Sequence, residues 1–517
     1  MSHVAIAMNG KFTLFGRMLE IVATVLVLLL CLFGDSHISG TNGVIGSILR
    51  ELPVIFRDPG TQWMVFLCVA VNLLTFLLLQ CRINGLSFWH AANPNLWLTG
   101  MLLLGTLVYA FNYSAAAQST QGLILLAGTT LGQGLALCSE GNAYKKKNWI
   151  YLIIATLLLL LSFSLLEHTN AGSVQNQYRG QLRWVGPWDN PNIYGLLMGV
   201  GIVLAIGMAV SSFKFQVFRE SIAGSWKSGV KGYAVIVVCL IAAILMGRGL
   251  LHSYSRGAWL AASCGLAYLV NRVFSFQFSQ ASPQASVFAL LRRDKPPRRA
   301  VFSQWLRRNA PVLAIIVLSL CALAFWQFRQ TDRIIARRAI SIGNMNDFSW
   351  RNRFSAWEGA LQITAEHPAL GAGWNQPEVL YENYYSLPKV DESAAIQLND
   401  YLMLGATLGV PALICFGAYL CLSLTRSRFG VPPLGGPTPK PRERGTPNED
   451  CSQTSHSDFG LFTPDFLPVV CRAGAIVLLV GFWFDGGLFG LPTAATFWIL
   501  LELGASRLTP TKIAVPS

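Results

Sequence analysis

Long apolar segments separated by short polar stretches make up most of this chain. They run for roughly 16–22 residues, a length that suits helices crossing a ~30 Å hydrocarbon core. The pattern predicts an all-α, polytopic integral membrane protein with about 12 transmembrane helices and one long, partly helical extracytoplasmic loop. We place the spans at 18–33, 62–80, 96–113, 120–138, 149–166, 192–212, 233–247, 257–271, 310–327, 405–424, 469–484 and 486–503.

Composition agrees with a membrane protein and excludes a soluble one. Of the 517 residues 53% are hydrophobic and only 12% are charged, and the mean hydropathy is +0.46. The first apolar run is interpreted as a retained span, because the residues after it lack a small-x-small cleavage site. No cysteine or histidine cluster has metal-ligand spacing, so no metal is expected.

The positive charges orient the chain with both termini in the cytoplasm. Most of the 39 Lys and Arg then lie in cytoplasmic loops, as the positive-inside rule requires, so the net charge of +14 needs no nucleic-acid partner. This organisation predicts four parts. They are N-terminal spans (1–179), a membrane core (180–424) with the external loop 328–398, a disordered cytoplasmic linker (425–467), and a C-terminal hairpin with its tail (468–517).

Three polar stretches stand at the outer ends of predicted spans. The first, "GRGLLHSYSRGAW", interrupts an apolar run and carries Arg248, His252 and Arg256. Ionisable groups at membrane depth usually serve a function, and we apply that interpretation to Arg256. Arg248 and His252 are interpreted as interface residues.

The second stretch, "RWVGPWDNPN", opens with Arg183 and precedes the sixth span. Asn190 is predicted to cap the following helix and Pro191 to occupy its first position. The positive end of that helix then faces outward, where it either receives a phosphate or simply begins a capped membrane helix.

The third stretch opens within the external loop, which holds six arginines although it lies outside. This violation of the charge rule indicates a local anionic partner. Ser349 is predicted to cap a helix whose packed face carries Phe354, Trp357 and Leu361, and "HPALGAGW" ends that helix at Pro368. Packing does not require Arg353, so Arg353 is a candidate for function.

Together these stretches resemble the O-antigen ligase and O-antigen polymerase family of membrane glycosyltransferases, which is GT-C-like. The matching pieces are "GPWDNPN", "SYSRGAWLA", "RFSAWEGALQITAEHPALGAGW" and "LNDYLMLGATLGVPA", in this order and on one side of the membrane. They cover roughly residues 180–415.

The resemblance implies a glycan donor on a polyprenyl diphosphate such as undecaprenyl diphosphate, an acceptor glycan or glycolipid, and the membrane lipid of the cytoplasmic (inner) membrane as partners. It also implies that no cofactor and no metal are needed, so that protein cations neutralise the diphosphate. Arg256 and Arg353 are then the best catalytic candidates. The expected substrate-binding residues are Arg183, Asn190, Asn192, Arg351, Trp357 and Asn399.

One position departs from the family pattern. The family has a histidine, widely taken as catalytic, before the asparagine that corresponds to Asn399, and here that place is taken by Leu398, which cannot accept a proton. Asp400 is our first choice as a substitute base, ahead of Glu366, Glu382 and Glu392. His367 precedes Pro368 and is interpreted as structural.

Alternatives remain open at this stage. If the bond to the diphosphate breaks early, cations that stabilise the leaving group could be sufficient for transfer without a base. Alternatively, the chain could bind lipid-linked glycans without transferring them. A secondary transporter also has about twelve spans, but it requires two similar halves, which these lopsided loops do not show. Ligase and polymerase activities are not separated by the motifs.

Overall fold

A computed structural model shows a bundle of long helices. It describes residues 93–111, 121–126, 128–129, 177–178, 181–188, 190–223, 229–279, 348–386, 399–425 and 466–505. Residues 121–126 and 128–129 are helical. Nine further α-helices have bounds in the described part: α1 (Pro94–Phe111), α2 (Pro191–Ala223), α3 (Gly229–His252), α4 (Arg256–Ser279), α5 (Phe348–Glu366), α6 (Gln376–Leu380), α7 (Asp400–Thr425), α8 (Leu467–Phe484) and α9 (Leu491–Ala505).

Short elements connect some of these helices. Strands β1 (Gln177–Tyr178) and β2 (Gln181–Leu182) form a two-residue antiparallel hairpin, and a 3-10 turn (Gly186–Trp188) leads into α2. A π-helical turn (Tyr381–Tyr385) follows α6. The described secondary structure is therefore helical apart from one small hairpin.

Among the described residues, five helices are long and apolar enough to cross a membrane: Pro94–Phe111, Pro191–Phe213, Ala234–His252, Asp400–Thr425 and Leu467–Phe484. The chain is thus a polytopic helical membrane protein. The expected spans 18–33, 62–80, 149–166 and 310–327 lie outside the described residues, so the count of twelve remains a prediction. α3 continues to His252, five residues beyond the predicted end, and places Arg248 within a helix.

The core of the bundle forms where α2, α4 and α8 meet. The apolar part of α2 is 83% buried, so α2 is the central helix. Glycines permit the close approach: a Cβ on Gly265 of α4 would lie 2.4 Å from Val477 of α8, and one on Gly481 of α8 would lie 2.2 Å from Leu196 of α2. The C-terminal hairpin of α8 and α9 is therefore packed into the centre of the molecule.

Helix α7 is broken at Gly409, where φ is 83° and ψ is 177°. Val410 turns its N–H away from the helix, and Pro411 has no N–H to donate. The carbonyl groups of Ala406 and Thr407 consequently lose the partners that a continuous helix provides. Within a membrane protein such groups need other donors.

The turn that follows α5 supplies these donors. Ala372 N–H donates to Ala406 O at 2.8 Å and Gly373 N–H to Thr407 O at 3.1 Å, while Pro368 O accepts from the N–H of Val410 at 2.9 Å. A Cβ on Gly371, where φ is 68°, would lie 2.2 Å from the Thr407 carbonyl carbon. The "HPALGAGW" and "LGVPA" stretches are thus two halves of one joint, which fixes α5 against α7.

Two details of α5 differ from prediction. Ser349 lies inside the helix rather than at its cap, because α5 begins at Phe348. Phe354 and Leu361 are 42% and 56% exposed, whereas the small residues Ala356 and Ala360 are buried. The prediction of a packed Phe354/Leu361 face is therefore wrong: helices that approach closely pack through small side chains and turn their large ones outward.

Candidate functional site

The loop between α8 and α9 (residues 485–490, the apex loop) is where several helices meet. Asp485, its first residue, is 6% exposed. Its two carboxylate oxygens face different elements: Oδ1 lies 3.2 Å from Arg353 Nη2, and Oδ2 accepts a short hydrogen bond from the Ser255 hydroxyl. Asp485 therefore joins the turn before α4 to helix α5.

Arg256 begins α4 directly beside this carboxylate. Ser255 caps the helix, since its Oγ accepts from the N–H of Ala258 at 3.2 Å. On the other side, a Cβ on Gly257 would lie 2.4 Å from Asp485 Oδ2. Arg256 is 7% exposed and stands between two residues that both touch the carboxylate. The carboxylate also stabilises the positive end of α4.

Arg353 reaches the same place from α5. Its Nη2 pairs with Asp485, and its Nε donates to Phe484 O at 3.0 Å. The side chain is 8% exposed, and its guanidinium carbon lies 5.8 Å from the centre of the Trp350 ring. Asp485 thus pairs with Arg353 and also bonds to Ser255, the residue next to Arg256.

Asp400 holds the middle of the apex loop. Its Oδ2 accepts from the N–H of Leu488 at 2.7 Å, and the residue is 1% exposed at the start of α7. Asn399 caps α7, because its Oδ1 accepts from the N–H of Leu402 at 3.1 Å. The Nδ2 of Asn399 is buried and makes no hydrogen bond. An amide donor is therefore available beside Asp400.

The second motif packs against the turn before α4. Arg183 Nε donates to Ser253 O at 2.8 Å, and Arg183 Nη2 donates to Asn192 Oδ1 at 2.9 Å. The predicted cap of α2 is confirmed, since Asn190 Oδ1 accepts from the N–H of Asn192 at 2.9 Å. Arg183 and Asn192 therefore act as a pair that fixes the start of α2 to the Ser253 carbonyl.

Arg248 and His252 face a different neighbour. The His252 ring stacks on Trp184 at 4.6 Å between ring centres, and the Arg248 guanidinium lies 5.5 Å from the Trp184 ring.

The connection between α3 and α4 is only three residues long and contains Tyr254 in the left-handed region, with φ at 52°. Such strained residues concentrate at functional turns.

An aromatic cluster borders Arg353. It consists of Trp350, Phe354, Trp357, Trp483 and Phe484, whose ring centres lie 5.5–6.4 Å from their neighbours. Trp357 is half-buried and packs edge-on against Trp483. Arg351 is exposed on the opposite side of α5 from Arg353, as a two-residue separation in a helix requires. Trp357 thus belongs to the cluster that contacts Arg353 through Trp350, and Arg351 does not.

The other acidic candidates lie away from this cluster or outside the described residues. Glu366 is exposed thirteen residues beyond Arg353, about 20 Å along α5. It accepts a hydrogen bond from the Tyr385 hydroxyl, which raises the pKa of Tyr385. His367 and Glu382 are also exposed. Glu392 and Leu398 lie outside the described residues.

Four helices begin at this end of the bundle: α2, α4, α7 and α9. The apex loop connects three of these starts. Its Asp485 binds Ser255 at the start of α4, and its Leu488 binds Asp400, the first residue of α7. The carbonyl group of Gly487 accepts a hydrogen bond from Thr493 of α9. Ile193 of α2 lies close enough that a Cβ on Gly490 would touch its Cδ1 at 3.4 Å. Four positive helix ends and the arginines make this region suited to an anion.

Sequence reasoning missed Asp485. The residue follows a predicted span, in "GFWFDGGLFG", and no motif surrounds it. One signal was present, because it is the only acidic residue between the last two apolar runs. Its importance follows from its partners on α4 and α5, which are more than 130 residues away in sequence.

Comparison with known proteins supports the resemblance drawn from the motifs. A search of the curated proteins finds no match. Residues 241–417 match a family model described as O-antigen ligase. This segment holds Arg256, Arg353, Asn399 and Asp400, and it leaves Arg183 and Asp485 outside. The chain thus carries the domain of the O-antigen ligase family over residues 241–417, and the resemblance to that family is confirmed.

Proposed function

We propose that this protein transfers a glycan from a polyprenyl-diphosphate carrier to an acceptor sugar at the outer face of the cytoplasmic membrane. Glycan transfer in surface-polysaccharide biosynthesis is the activity that its family indicates. The observation that carries the proposal is that Asp485 joins Arg353 to the turn that carries Arg256, at the end of the bundle where four helices begin. The expected twelve spans, cytoplasmic termini and four-part organisation belong to the same proposal.

The reaction exchanges one bond at the anomeric carbon for another. The acceptor hydroxyl oxygen forms a bond to that carbon, and the bond from the carbon to the diphosphate oxygen breaks. The bonding electrons leave with the lipid diphosphate, and the hydroxyl proton passes to a base. Negative charge grows on the diphosphate as the bond breaks, so cations placed there lower the barrier.

Arg256 and Arg353 are the proposed cations. A guanidinium stays charged when it is buried and offers a planar pair of donors to a phosphate. In the structure the carboxylate of Asp485 is the anion that pairs with Arg353. A diphosphate carries more charge than one carboxylate, so it can compete for Arg353 while Asp485 stays bound to Ser255. Asp485 thereby compensates the charge of Arg353 in the empty site and positions Arg353 for the donor.

Residues around the arginines are proposed to bind the rest of the substrates. Arg183 and Asn192 border the same turn as Arg256, and Asn190 shapes the start of α2. The buried, unbonded Nδ2 of Asn399 suits an oxygen of the donor or acceptor. Trp357 offers an apolar ring face beside Arg353. Arg351, which is exposed, is proposed for an outer part of the glycan.

Asp400 is the proposed proton acceptor. It is the acidic residue that follows Asn399, and one of its carboxylate oxygens is held by Leu488 in the apex loop. That contact fixes the carboxyl group of Asp400 against the apex loop, which also contains Asp485. The proposal requires the acceptor hydroxyl to reach the carboxyl group when the donor is bound.

A direct assay tests the function. Purified protein in lipid nanodiscs is incubated with a short polyprenyl-diphosphate oligosaccharide and a sugar acceptor, and released polyprenyl diphosphate and product are measured by mass spectrometry. Release that depends on the acceptor supports the proposal. Donor binding without release by the wild-type protein contradicts it.

The same assay separates the two activities of the family. A polymerase lengthens the glycan on a second lipid-linked donor, so products longer than the donor appear while still attached to the lipid. A ligase moves the glycan to a different acceptor and leaves the donor length unchanged. The product lengths therefore decide between them.

A further inference from the structure

Helix α5 carries a stripe of large apolar side chains along one side. Trp350, Phe354, Trp357 and Leu361 follow one another at intervals of four, three and four residues, so they share one side of the helix. Phe354 and Leu361 are exposed and Trp357 is half-buried. Contiguous exposed apolar side chains mark a surface that contacts a partner or a membrane.

A second side of α5 packs against the protein. Ala356 and Ala360 belong to one buried apolar cluster with Met403 of α7. A Cβ on Gly359 would lie 2.5 Å from the ring of Tyr381 in the π-helical turn. The apolar stripe is therefore not the side that attaches α5 to the bundle.

The third side of α5 is polar. Arg351, Glu358 and Gln362 are exposed and lie at intervals of seven and four residues, so they also share one side. Successive residues of a helix are about 100° apart, which separates Gln362 from Leu361 around the axis. The exposed surface of α5 is thus divided lengthwise into an apolar stripe and a polar one.

The apolar stripe continues the surface of a membrane-spanning helix. Helix α8 is long and apolar enough to cross a membrane, and Trp483, next to its last residue, is 41% exposed. The ring centre of Trp357 lies 5.7 Å from that of Trp483, and the ring centre of Trp350 lies 6.0 Å from that of Phe484. Aromatic side chains at the end of a membrane helix mark the level where the bilayer meets water. The stripe on α5 therefore adjoins that level.

A bilayer fits this surface better than a second protein does. A stable protein dimer buries about 800 Å² on each partner, which is far more than two half-exposed side chains provide. An interfacial helix needs no such area. It inserts one apolar side about 5–10 Å into the boundary of the acyl chains and keeps its polar side in water.

We propose that α5 is an interfacial helix, which lies along the bilayer surface on the side of the apex loop and inserts Phe354 and Leu361 among the lipid acyl chains. Arg351 and Gln362 then remain in water. Arg353, on the same helix, is held near the level of the lipid phosphate groups. The membrane contact does not depend on glycan transfer.

Photo-crosslinking tests the contact directly. The photoreactive amino acid p-benzoylphenylalanine replaces Phe354, Leu361 or Gln362, and each protein is irradiated in nanodiscs of phosphatidylethanolamine and phosphatidylglycerol. Lipid adducts, measured by mass spectrometry, should be about tenfold more abundant at positions 354 and 361 than at the matched control, Gln362. Equal yields at the three positions, or no lipid adduct at 354 and 361, overturn the proposal. Covalent dimers of the chain assign the stripe to a second copy and also overturn it.

Labelling from the water side measures the same surface with smaller changes. Leu361→Cys and Gln362→Cys are treated with a membrane-impermeant maleimide, and peptide mapping assigns the label to each position. Leu361→Cys should react about tenfold more slowly in nanodiscs, because the reagent does not enter the acyl region. The two rates should become equal in sodium dodecyl sulfate, where the fold is lost. Equal rates in nanodiscs overturn the proposal.

Discussion

The two ends of the α8–α9 hairpin hold arginines in different ways. At the apex loop, Arg353 is held by a carboxylate and a carbonyl group, at the end of the bundle where four helices begin. At the opposite end, Arg472 is buried and packs so closely on Gly504 that a Cβ there would lie 2.7 Å from its Cγ. An arginine whose partner is an anion can exchange that anion for a more highly charged ligand.

The comparison therefore separates an arginine whose anionic partner a substrate can displace from an arginine that is enclosed by helix packing. The apex end suits a diphosphate that arrives with a substrate and leaves with a product. The opposite end holds its arginine inside the packing of the helices, away from the apex loop. Variants at the two ends should accordingly affect different measurements.

Loss of either apex arginine is expected to have the largest effect. Arg256→Ala or Arg353→Ala should lower the release of polyprenyl diphosphate by about 10³-fold, because each removes a charge that stabilises the leaving group. Arg248→Gln serves as the control, since Arg248 packs on Trp184, and should remain within about threefold of wild type. Near-normal release by both alanine variants would remove the arginines from the mechanism.

Asp400→Asn should come next, with turnover lowered by about 100-fold, a typical contribution of a general base. The amide can still accept the hydrogen bond from Leu488, so the apex loop should keep its position. Steady-state turnover of the purified variant is the measurement. Unchanged turnover eliminates Asp400 as the base and favours departure of the diphosphate without a base.

Asp485→Asn tests the exchange of anions at Arg353. Turnover should fall by about 10- to 100-fold because Arg353 loses its fixed position, whereas donor affinity should hold or improve because the competing charge is gone. Donor affinity and turnover are measured separately by titration and by product release. A parallel loss of both would show that Asp485 acts only as a structural residue.

Two glycine variants test the position of the Asp485 carboxylate by steric contact. Gly257→Ala places a methyl group 2.4 Å from Asp485 Oδ2, so the carboxylate must shift and turnover should fall by about tenfold. Gly417→Ala is the matched control, because no atom lies within 4 Å of its added Cβ. Equal turnover in the two variants would contradict a requirement for close packing at Asp485.

The smallest effect on turnover is expected at the other end. Arg272→Gln should change the release of polyprenyl diphosphate by less than about twofold, because Arg272 lies far from the apex loop and shares no partner with Arg353. The same release assay measures this. A loss as large as that of Arg353→Ala would mean that the two ends are coupled, and the distinction between them would fail.

Several features could be predicted from local sequence. The cap at Asn190 follows from one residue type at one position, and the glycines of "HPALGAGW" indicate a turn. The exposure of Phe354 and Leu361 on α5 could not be predicted, because helical periodicity shows which residues share a face but not which element packs against that face. The joint between that turn and the broken α7 also depends on pairing between distant backbone groups.

The amino-acid sequence by itself determined the helical membrane character, the starts and ends of several helices, and the family. These depend on apolar length, capping residues and ordered motifs, which are local properties of the chain. Tertiary structure alone placed Asp485 between Ser255 and Arg353, and Arg472 beside Tyr268. Electrostatic partners are chosen by distance in space, and helices packed through glycines bring together charges that the sequence keeps more than a hundred residues apart.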